Sequence, residues 1–241
     1  MNMNKVGIIM PFYNKWDLCH ARLFEFYRLL PQENVEIILI DDASSDKEEI
    51  FGGVSWWQKD TSHHKIRYYR NDTNLGFGGS MNVGAKIAIH YGAKILIFHS
   101  NDVKVSGDFV TPLVHIINTD PKVFIGNELI DYPAGWNEFE INGEKIIVPW
   151  MNGWFIACTS EIWKMLGGFD PLYGKYTYED IDLSTRAAMM GLKLIDMKSP
   201  FLRHLSAQTV GYSAERMEIT IANKEKYLQK WGAKLLEIYK K

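Results

Sequence analysis

The amino-acid sequence predicts an α/β domain with a mainly parallel central β-sheet. Short apolar runs alternate with longer segments in which apolar residues recur at helical spacing, and this alternation is typical of β-α-β units. The 241 residues are 46% hydrophobic and 23% charged, a composition that buries a sizeable core and excludes a largely disordered chain. The net charge of −2 argues against a general nucleic-acid binder, because such proteins carry a large basic excess.

The first half of the chain alternates between predicted strands and helices. Apolar runs predict strands at 6–10, 35–40, 65–69, 94–98 and 122–125. Amphipathic periodicity predicts helices at 16–30, 80–91 and 107–118. A glycine-rich turn at 74–79 precedes the second helix, where Gly84, Ala85 and Ala88 predict close packing on the sheet.

The pattern changes after residue 127. Residues 128–150 contain Gly, Pro and alternating apolar positions, which predict a hairpin or a loop excursion from the sheet. Further strands are predicted at 154–158, 193–196 and 201–204, and further helices at 160–166 and 179–190. The last 29 residues hold seven Lys or Arg against four Glu and predict one long amphipathic helix. We expect one domain over 1–210, divided near 127 into parts 1–127 and 128–210, and a helical tail at 211–241.

Polar clusters follow several predicted strands at their carboxyl ends. They are Pro11 to Asn14, Asp41 with Asp42, and Ser100 to Asp102, and the segment 71–79 follows the third strand. Ligands of open α/β sheets bind beyond the carboxyl ends of the strands, so these clusters together predict a ligand site. Each cluster alone is equally typical of a helix cap.

The sequence disfavours a dinucleotide site, a P-loop, a disulfide framework and a zinc knuckle. The glycine-rich turn reads G-x-G-G and lacks both the dinucleotide pattern G-x-G-x-x-G and the Gly-Lys-Ser/Thr of a P-loop. Two cysteines, Cys19 and Cys158, cannot form a disulfide framework or a zinc knuckle.

Two groups of carboxylates are candidates for chemistry. Asp102 ends an apolar strand, where an ionised carboxylate needs a partner or a hard cation such as Mg²⁺ or Mn²⁺. Glu179, Asp180 and Asp182 open a predicted helix, where capping is the simpler interpretation. Asp182 and Arg186 have the spacing of a structural i, i+4 salt bridge.

Four segments, in order along residues 5–205, resemble the inverting glycosyltransferases of family 2, which have the GT-A fold. They are V-G-I-I-M-P-F-Y-N at 6–14, I-L-I-D-D-A-S-S-D at 38–46, N-L-G-F-G-G-S-M-N-V-G at 74–84, and G-G-F-D at 167–170 with Y-E-D-I-D-L-S-T-R at 178–186. The third segment resembles the rhamnosyltransferase-like branch in particular.

The resemblance implies a role for each cluster in binding a nucleotide-sugar donor. Asp42 would bind the pyrimidine base, and Pro11 and Tyr13 would shape the base and ribose pocket. Asn74, Gly79 and Asn82 would lie along the ribose and diphosphate. Residues 1–127 would therefore form the nucleotide-binding part, and a UDP- or dTDP-sugar is the expected donor.

The resemblance also implies a metal centre and a general base. Asn101 and Asp102 stand in the place of the D-x-D motif, whose first acidic position is Ser100 here. Asp102 would be the principal ligand of Mn²⁺ or Mg²⁺, and His204 a second ligand. Asp180 would be the base, with Glu179 beside it, in an acceptor and catalytic part at 128–210. Trp154 replaces a small residue of many relatives, and Trp136, Trp150 and Trp154 are candidate stacking platforms for a sugar.

The expected reaction is transfer of a single sugar, with inversion, to a hydroxyl of a glycan, a glycolipid or a protein. Two alternatives remain: a non-catalytic nucleotide- or carbohydrate-binding module, and a nucleotidyltransferase. The sequence has neither a signal-peptide pattern nor a membrane-spanning apolar run, so we expect a cytoplasmic protein. The basic terminal helix predicts either packing on the domain, peripheral contact with the inner face of the membrane, or a homodimer.

Overall fold

The computed structural model describes residues 4–59, 64–205 and 213–239. In chain order its strands are β1 (Val6–Phe12), β2 (Val35–Asp41), β3 (Lys65–Arg70), β4 (Ile95–His99), β5 (Val103–Val105), β6 (Val123–Gly126), β7 (Leu129–Ile130), β8 (Glu138–Ile141), β9 (Glu144–Ile147), β10 (Trp150–Met151), β11 (Phe155–Thr159), β12 (Lys193–Asp196) and β13 (Leu202–His204). The helices are α1 (Trp16–Leu29), α2 (Lys47–Lys59), α3 (Gly76–His90), α4 (Val110–Thr119), α5 (Ser160–Leu166), α6 (Glu179–Met189), α7 (Ala214–Trp231) and α8 (Lys234–Tyr239).

The core of the molecule is a seven-stranded sheet in the order β12-β6-β11-β4-β1-β2-β3. All of its strands run parallel except β11, which is antiparallel to β4 and β6. Strands β1, β2 and β4 are buried along their whole length, as expected for Val- and Ile-rich strands of a parallel sheet that is covered on both faces. The predicted α/β class with a mainly parallel sheet is confirmed.

Helices cover both faces of this sheet. Helices α1, α2 and α4 pack on one face, and α3, α5 and α6 pack on the other. Helix α3 approaches very closely, since a Cβ at Gly84 would lie 2.3 Å from Cγ2 of Ile9. The predicted close packing through small residues is therefore confirmed, and it brings the amino end of α3 to the carboxyl ends of the strands.

The helices differ from the prediction in three main respects. Helix α3 begins at Gly76 rather than at 80, so the glycine-rich segment is the first turn of the helix and not a separate turn. Helix α2 has no counterpart among the predicted elements. The carboxyl-terminal segment forms two helices instead of one, because the chain turns at Gly232, which has a φ of +37°.

Helices α7 and α8 share a third core with the hairpin formed by β8 and β9. Tyr227, Trp231 and Leu235 are buried there against Phe139 and Ile181. This arrangement places the amino end of α7 beside the start of α6. Among the helices described, none is both long enough and apolar enough to cross a bilayer.

Candidate active site

A cavity of about 820 Å³ lies beyond the carboxyl end of β4 and beside the start of α6. Its walls come from separate parts of the chain: the loop after β4, the β10–β11 connection, the segment before α6, the end of β13, and the first turns of α7. The lining residues are Phe77, Ser100, Glu128, Trp136, Trp150, Asn152, Gly153, Trp154, Lys175, Tyr176, Thr177, Tyr178, Glu179, Asp180, Ile181, His204, Ser213, Ala214, Arg216, Met217 and Thr220.

Asp180 is held in this cavity by backbone donors. Its Oδ2 accepts a hydrogen bond from the backbone N–H of Gly153 at 3.0 Å, and Oδ1 accepts one from the N–H of Ile181 at 2.9 Å. The side chain of Trp150, whose only donor is the indole N–H, also lowers the pKa of Asp180. Burial raises the pKa of Asp180 above its usual value, and these hydrogen bonds oppose the increase.

Glu179 has a different environment from its neighbour. In the part of the chain that the structure describes, its Oε2 is buried and has no hydrogen-bond partner. Burial, and then the nearby charge of Asp180, raise the pKa of Glu179 to about 8. Burial raises the pKa of both carboxyl groups, and two adjacent carboxyl groups in such a site favour one proton between them.

Asp102 and His204 are brought together by strand pairing. Strand β13 is antiparallel to β5 and sets His204 opposite Val103, so Nε2 of His204 lies 3.4 Å from Oδ1 of Asp102. The hydroxyl of Ser100 donates to the same carboxylate at 2.5 Å. Burial acts to raise the pKa of Asp102, but the hydrogen bonds from His204 and Ser100 outweigh it and lower the pKa below its usual value.

This pair fits a divalent cation that is shared with a substrate. Within the described ranges, no group of three or more His, Cys, Asp or Glu is arranged to hold a metal by itself. Mn²⁺ and Mg²⁺, however, are commonly bound through one or two protein ligands, with phosphate oxygens and water completing the shell. The carboxylate of Asp102 and the imidazole of His204 supply such a partial set.

Trp154 contacts both His204 and the carboxylate of Glu128. Its ring lies parallel to the His204 ring, with centroids 5.3 Å apart and planes 14° apart, and its indole N–H donates to Oε2 of Glu128 at 2.7 Å. Trp154 is only 7% exposed, and one face of its ring is already covered. Of the three Trp considered as stacking platforms, Trp136 has the exposed ring, at 42%.

Asp42 lies beneath the start of α3. Its Oδ1 accepts hydrogen bonds from the Asn71 amide and the Leu75 N–H, both at 2.8 Å, and its Oδ2 accepts one from the Gly76 N–H at 2.9 Å. The side chain therefore caps the glycine-rich helical turn. Its contact with a nucleotide base stays a prediction.

Other residues predicted to bind the donor also lie outside the cavity wall. Pro11 is buried in β1, and Tyr13 follows it with 43% of its surface exposed. Oδ1 of Asn74 accepts from the Gly76 N–H at 3.2 Å. Gly79 packs on Leu75, whose Cβ would lie 2.7 Å from a Cβ at 79.

Asn82 and Asn101 complete this group of predicted donor-binding residues. Asn82 donates to the carbonyl of Phe169 at 2.8 Å and accepts from its N–H at 2.9 Å, which ties the G-G-F-D segment to α3. Asn101 is buried beside Asp102. Trp154, Glu179, Asp180 and His204 do line the cavity, together with the predicted stacking platforms Trp136 and Trp150.

Several cavity residues have no signal in the sequence. Glu128 lies between β6 and β7, Asn152 lies between β10 and β11, and Arg216 comes from α7, far along the chain. Only the folded arrangement of β7, β10 and α7 brings these residues to Asp180. A single sequence offers no spacing rule for such long-range contacts.

The family model described as "Glycosyl transferase family 2" matches residues 7–166. N-acetylgalactosaminyltransferase 4 of Drosophila melanogaster is 20% identical over 231 residues, covering 83% of this chain and 35% of that protein. The inactive polypeptide N-acetylgalactosaminyltransferase-like protein 5 of Macaca fascicularis is 24% identical over 227 residues, covering 81% of this chain and 50% of that protein. The chain thus spans about a third to a half of the length of these curated relatives.

Solved structures share the GT-A fold of this chain. The mannosyltransferase PcManGT from Pyrobaculum calidifontis, in complex with GDP-Man and Mn²⁺, superposes with a TM-score of 0.68 at 18% identity, covering 95% of this chain and 65% of that one. GalNAc-T7 with UDP, GalNAc and Mn²⁺ gives a TM-score of 0.69 at 17% identity, covering 97% of this chain and 49% of that one.

Proposed function

The chain belongs to glycosyltransferase family 2, and from this membership we propose that it transfers a single sugar from a nucleoside-diphosphate sugar to a hydroxyl group of an acceptor. The acceptor is a glycan, a glycolipid or a protein. The donor is a UDP- or dTDP-sugar, and dTDP-rhamnose is included because of the N-x-G-x-x-x-x-x-N-x-G segment at 74–84.

One observation carries the proposal: a single cavity is lined by both Asp180 and His204. Displacing a nucleoside diphosphate from an anomeric carbon needs a base for the attacking hydroxyl and stabilisation of the leaving diphosphate. Asp180 would serve as the base, and His204 with its neighbour Asp102 would hold the cation that stabilises the leaving group.

Asp180 is the proposed general base. Its carboxylate takes the proton of the acceptor hydroxyl while the oxygen forms a bond to the anomeric carbon. The bond from that carbon to the diphosphate oxygen breaks, and its electron pair leaves with the nucleoside diphosphate. A single in-line displacement without a covalent intermediate inverts the anomeric centre.

Asp102 and His204 are the proposed protein ligands of Mn²⁺ or Mg²⁺. The cation, when bound, offsets the negative charge that develops on the leaving diphosphate. Ser100 orients the Asp102 carboxylate through its hydrogen bond. The lowered pKa of Asp102 keeps this ligand ionised at neutral pH.

The donor-binding part is proposed for 1–127. Pro11, Tyr13, Asp42, Asn74, Gly79, Asn82 and Asn101 are retained there as proposed contacts of the nucleotide and diphosphate. The hydrogen bonds that the Leu75 and Gly76 N–H groups donate to Asp42 support this placement, because they fix the amino end of α3. A helix amino end is favourable for a phosphate.

A second candidate is a binding module that no longer transfers sugar. One relative is itself named an inactive N-acetylgalactosaminyltransferase-like protein. The two candidates differ in turnover and not in binding. The presence of Asp180 and the two backbone N–H groups that donate to it supports the catalytic one.

Nucleoside-diphosphate release and direct binding test this proposal together. The chain is incubated with Mn²⁺ and UDP-, dTDP- and GDP-sugars, with and without a panel of sugar acceptors. We expect one donor to be turned over, with release accelerated by an acceptor. Binding without turnover on any acceptor indicates the non-catalytic candidate, and absence of binding to every sugar nucleotide contradicts both.

A further inference from the structure

Glu128 is a carboxylate in the cavity that the reaction proposed above does not use. It follows β6, and its side chain lines the same space as Glu179 and Asp180. The residue is partly exposed, so the side chain is accessible from the cavity.

The inner oxygen of this carboxylate is fixed by two donors. Oε2 of Glu128 accepts from the Trp154 indole N–H at 2.7 Å and from the Asn152 amide at 2.9 Å. The backbone carbonyl of Glu128 also accepts from the N–H of Asn152 at 3.0 Å. The side chain is therefore pre-organised, which reduces the entropy lost when it binds a ligand.

The outer oxygen is left for another partner. For Oε1 of Glu128 the described part of the chain provides no hydrogen-bond donor, in contrast to Oε2. A carboxylate oxygen only accepts hydrogen bonds, so the matching ligand group is a donor. The hydroxyl groups of a sugar are such donors.

The position of Glu128 indicates which sugar it would meet. On one side, Trp154 stacks on His204 of the proposed metal pair. On the other side, Asn152 is followed directly by Gly153, whose N–H holds Asp180. In the proposed displacement, the transferred sugar would lie between the residues that hold the diphosphate and the base, and Glu128 lines the same cavity as His204 and Asp180.

We propose that Glu128 is a specificity-determining residue that accepts a hydrogen bond from a hydroxyl group of the transferred sugar. This inference rests on the proposed function, since it assumes that the cavity holds a sugar nucleotide. It adds a contact that distinguishes one donor sugar from another.

Glu128→Gln is a selective test because of the two inner donors. Trp154 and Asn152 both donate to one oxygen, so the variant glutamine keeps its carbonyl oxygen there. Its amide nitrogen then faces the cavity, where it presents a donor in place of an acceptor. Glu140→Gln is the matched control, since Glu140 is an exposed residue of β8.

Calorimetry measures the affinity of each variant for the sugar nucleotide that the wild-type chain turns over fastest and for the corresponding free nucleoside diphosphate. We expect Glu128→Gln to bind the sugar nucleotide about tenfold or more weakly, with the affinity for the nucleoside diphosphate and the Tm unchanged. Glu140→Gln should match the wild type in every measurement.

Three outcomes overturn the inference: unchanged sugar-nucleotide affinity, an equal loss of affinity for both ligands, or a change confined to the KM of the acceptor. The second of these shows a purely structural role. A wild-type chain that binds no sugar nucleotide is a distinct result, because it contradicts the proposed function itself.

Discussion

The backbone N–H of Gly153 donates a hydrogen bond to Oδ2 of Asp180 over 3.0 Å, although the two residues come from different elements. Gly153 lies between β10 and β11, and Asp180 lies in the first turn of α6. A Cβ at position 153 would be 3.2 Å from the Cβ of Asp180 and 3.3 Å from its Oδ2. The proposed base is therefore placed by a close approach of backbone to side chain.

Gly153→Ala is expected to lower kcat by up to about tenfold, because the close contact of the added methyl group displaces Asp180 by a fraction of an ångström, and a misplacement of about 1 Å costs about a hundredfold. The added methyl group pushes Asp180 away from the N–H that positions it. Steady-state turnover of the preferred donor and acceptor measures the effect. Gly52→Ala in α2 is the control, since nothing lies within 4 Å of a Cβ there; similar losses in both variants would contradict the explanation.

Trp150→Phe is expected to shift the pH profile of kcat to higher pH. The Trp150 side chain lowers the pKa of the Asp180 carboxyl, and a general base acts only when it is deprotonated. Loss of the donor raises the pKa, so the acidic limb, where activity increases with pH, moves upward. The profile is measured between pH 5 and pH 9, with Trp56→Phe on the exposed face of α2 as control. An acidic limb at the same pH as in the wild type would show that Trp150 does not lower the pKa of the base.

Lys230→Ala is expected to reduce the free energy of unfolding by about 2 kcal/mol, because breaking a buried ion pair leaves a charge poorly compensated. Asp182 is completely buried, and Nζ of Lys230 lies 2.6 Å from its Oδ1 and 2.7 Å from Oδ2 of Asp170. Arg186 at 2.8 Å and Trp231 at 2.9 Å still bond to Asp182 in the variant, which limits the loss.

Urea unfolding compares this variant with Lys193→Ala. Lys193 is largely exposed and lies 3.8 Å from Asp120, so its replacement should change stability by less than about 0.5 kcal/mol. Equal effects of the two substitutions would show that the buried contact does not anchor α7.

The divalent cation requirement should favour Mn²⁺ over Mg²⁺. An imidazole nitrogen from His204 beside the oxygen of Asp102 suits Mn²⁺ better, because Mg²⁺ prefers an all-oxygen shell. We expect a chelator to abolish turnover, Mn²⁺ to restore more of it than Mg²⁺, and Asp102→Asn to raise the Mn²⁺ activation constant at least about tenfold. Asp120→Asn, on the surface, is the control. Full turnover in the chelator would refute this assignment.

Much of the sheet could be predicted from the sequence, because buried parallel strands are continuous apolar runs bounded by polar residues. The bounds of α5 and β12, and the start of α6 at Glu179, agree with the prediction. Helix α2 was not predicted, because Gly52 and Gly53 interrupt its pattern of apolar residues. Helix α7 ends because Gly232 has a positive φ. The spacing of apolar residues does not report such a backbone conformation.

Less of the site than of the fold could be predicted from the sequence. The carboxylates Asp102 and Asp180 stand out at element ends, whereas Glu128 has no local signal and depends on Trp154, 26 residues away. The link from Asp182 to Lys230 spans 48 residues. Such contacts depend on the packing of distant elements, which a single sequence does not specify.

Asp180→Asn gives the most direct test of the account. Asparagine keeps the shape of the side chain and an oxygen for the Gly153 N–H, but it cannot take a proton from the acceptor. With the preferred donor, acceptor and Mn²⁺, we predict that kcat falls by about 10²- to 10⁴-fold while the Kd of the sugar nucleotide stays unchanged. Turnover equal to that of the wild type would contradict the assignment of Asp180 as the base.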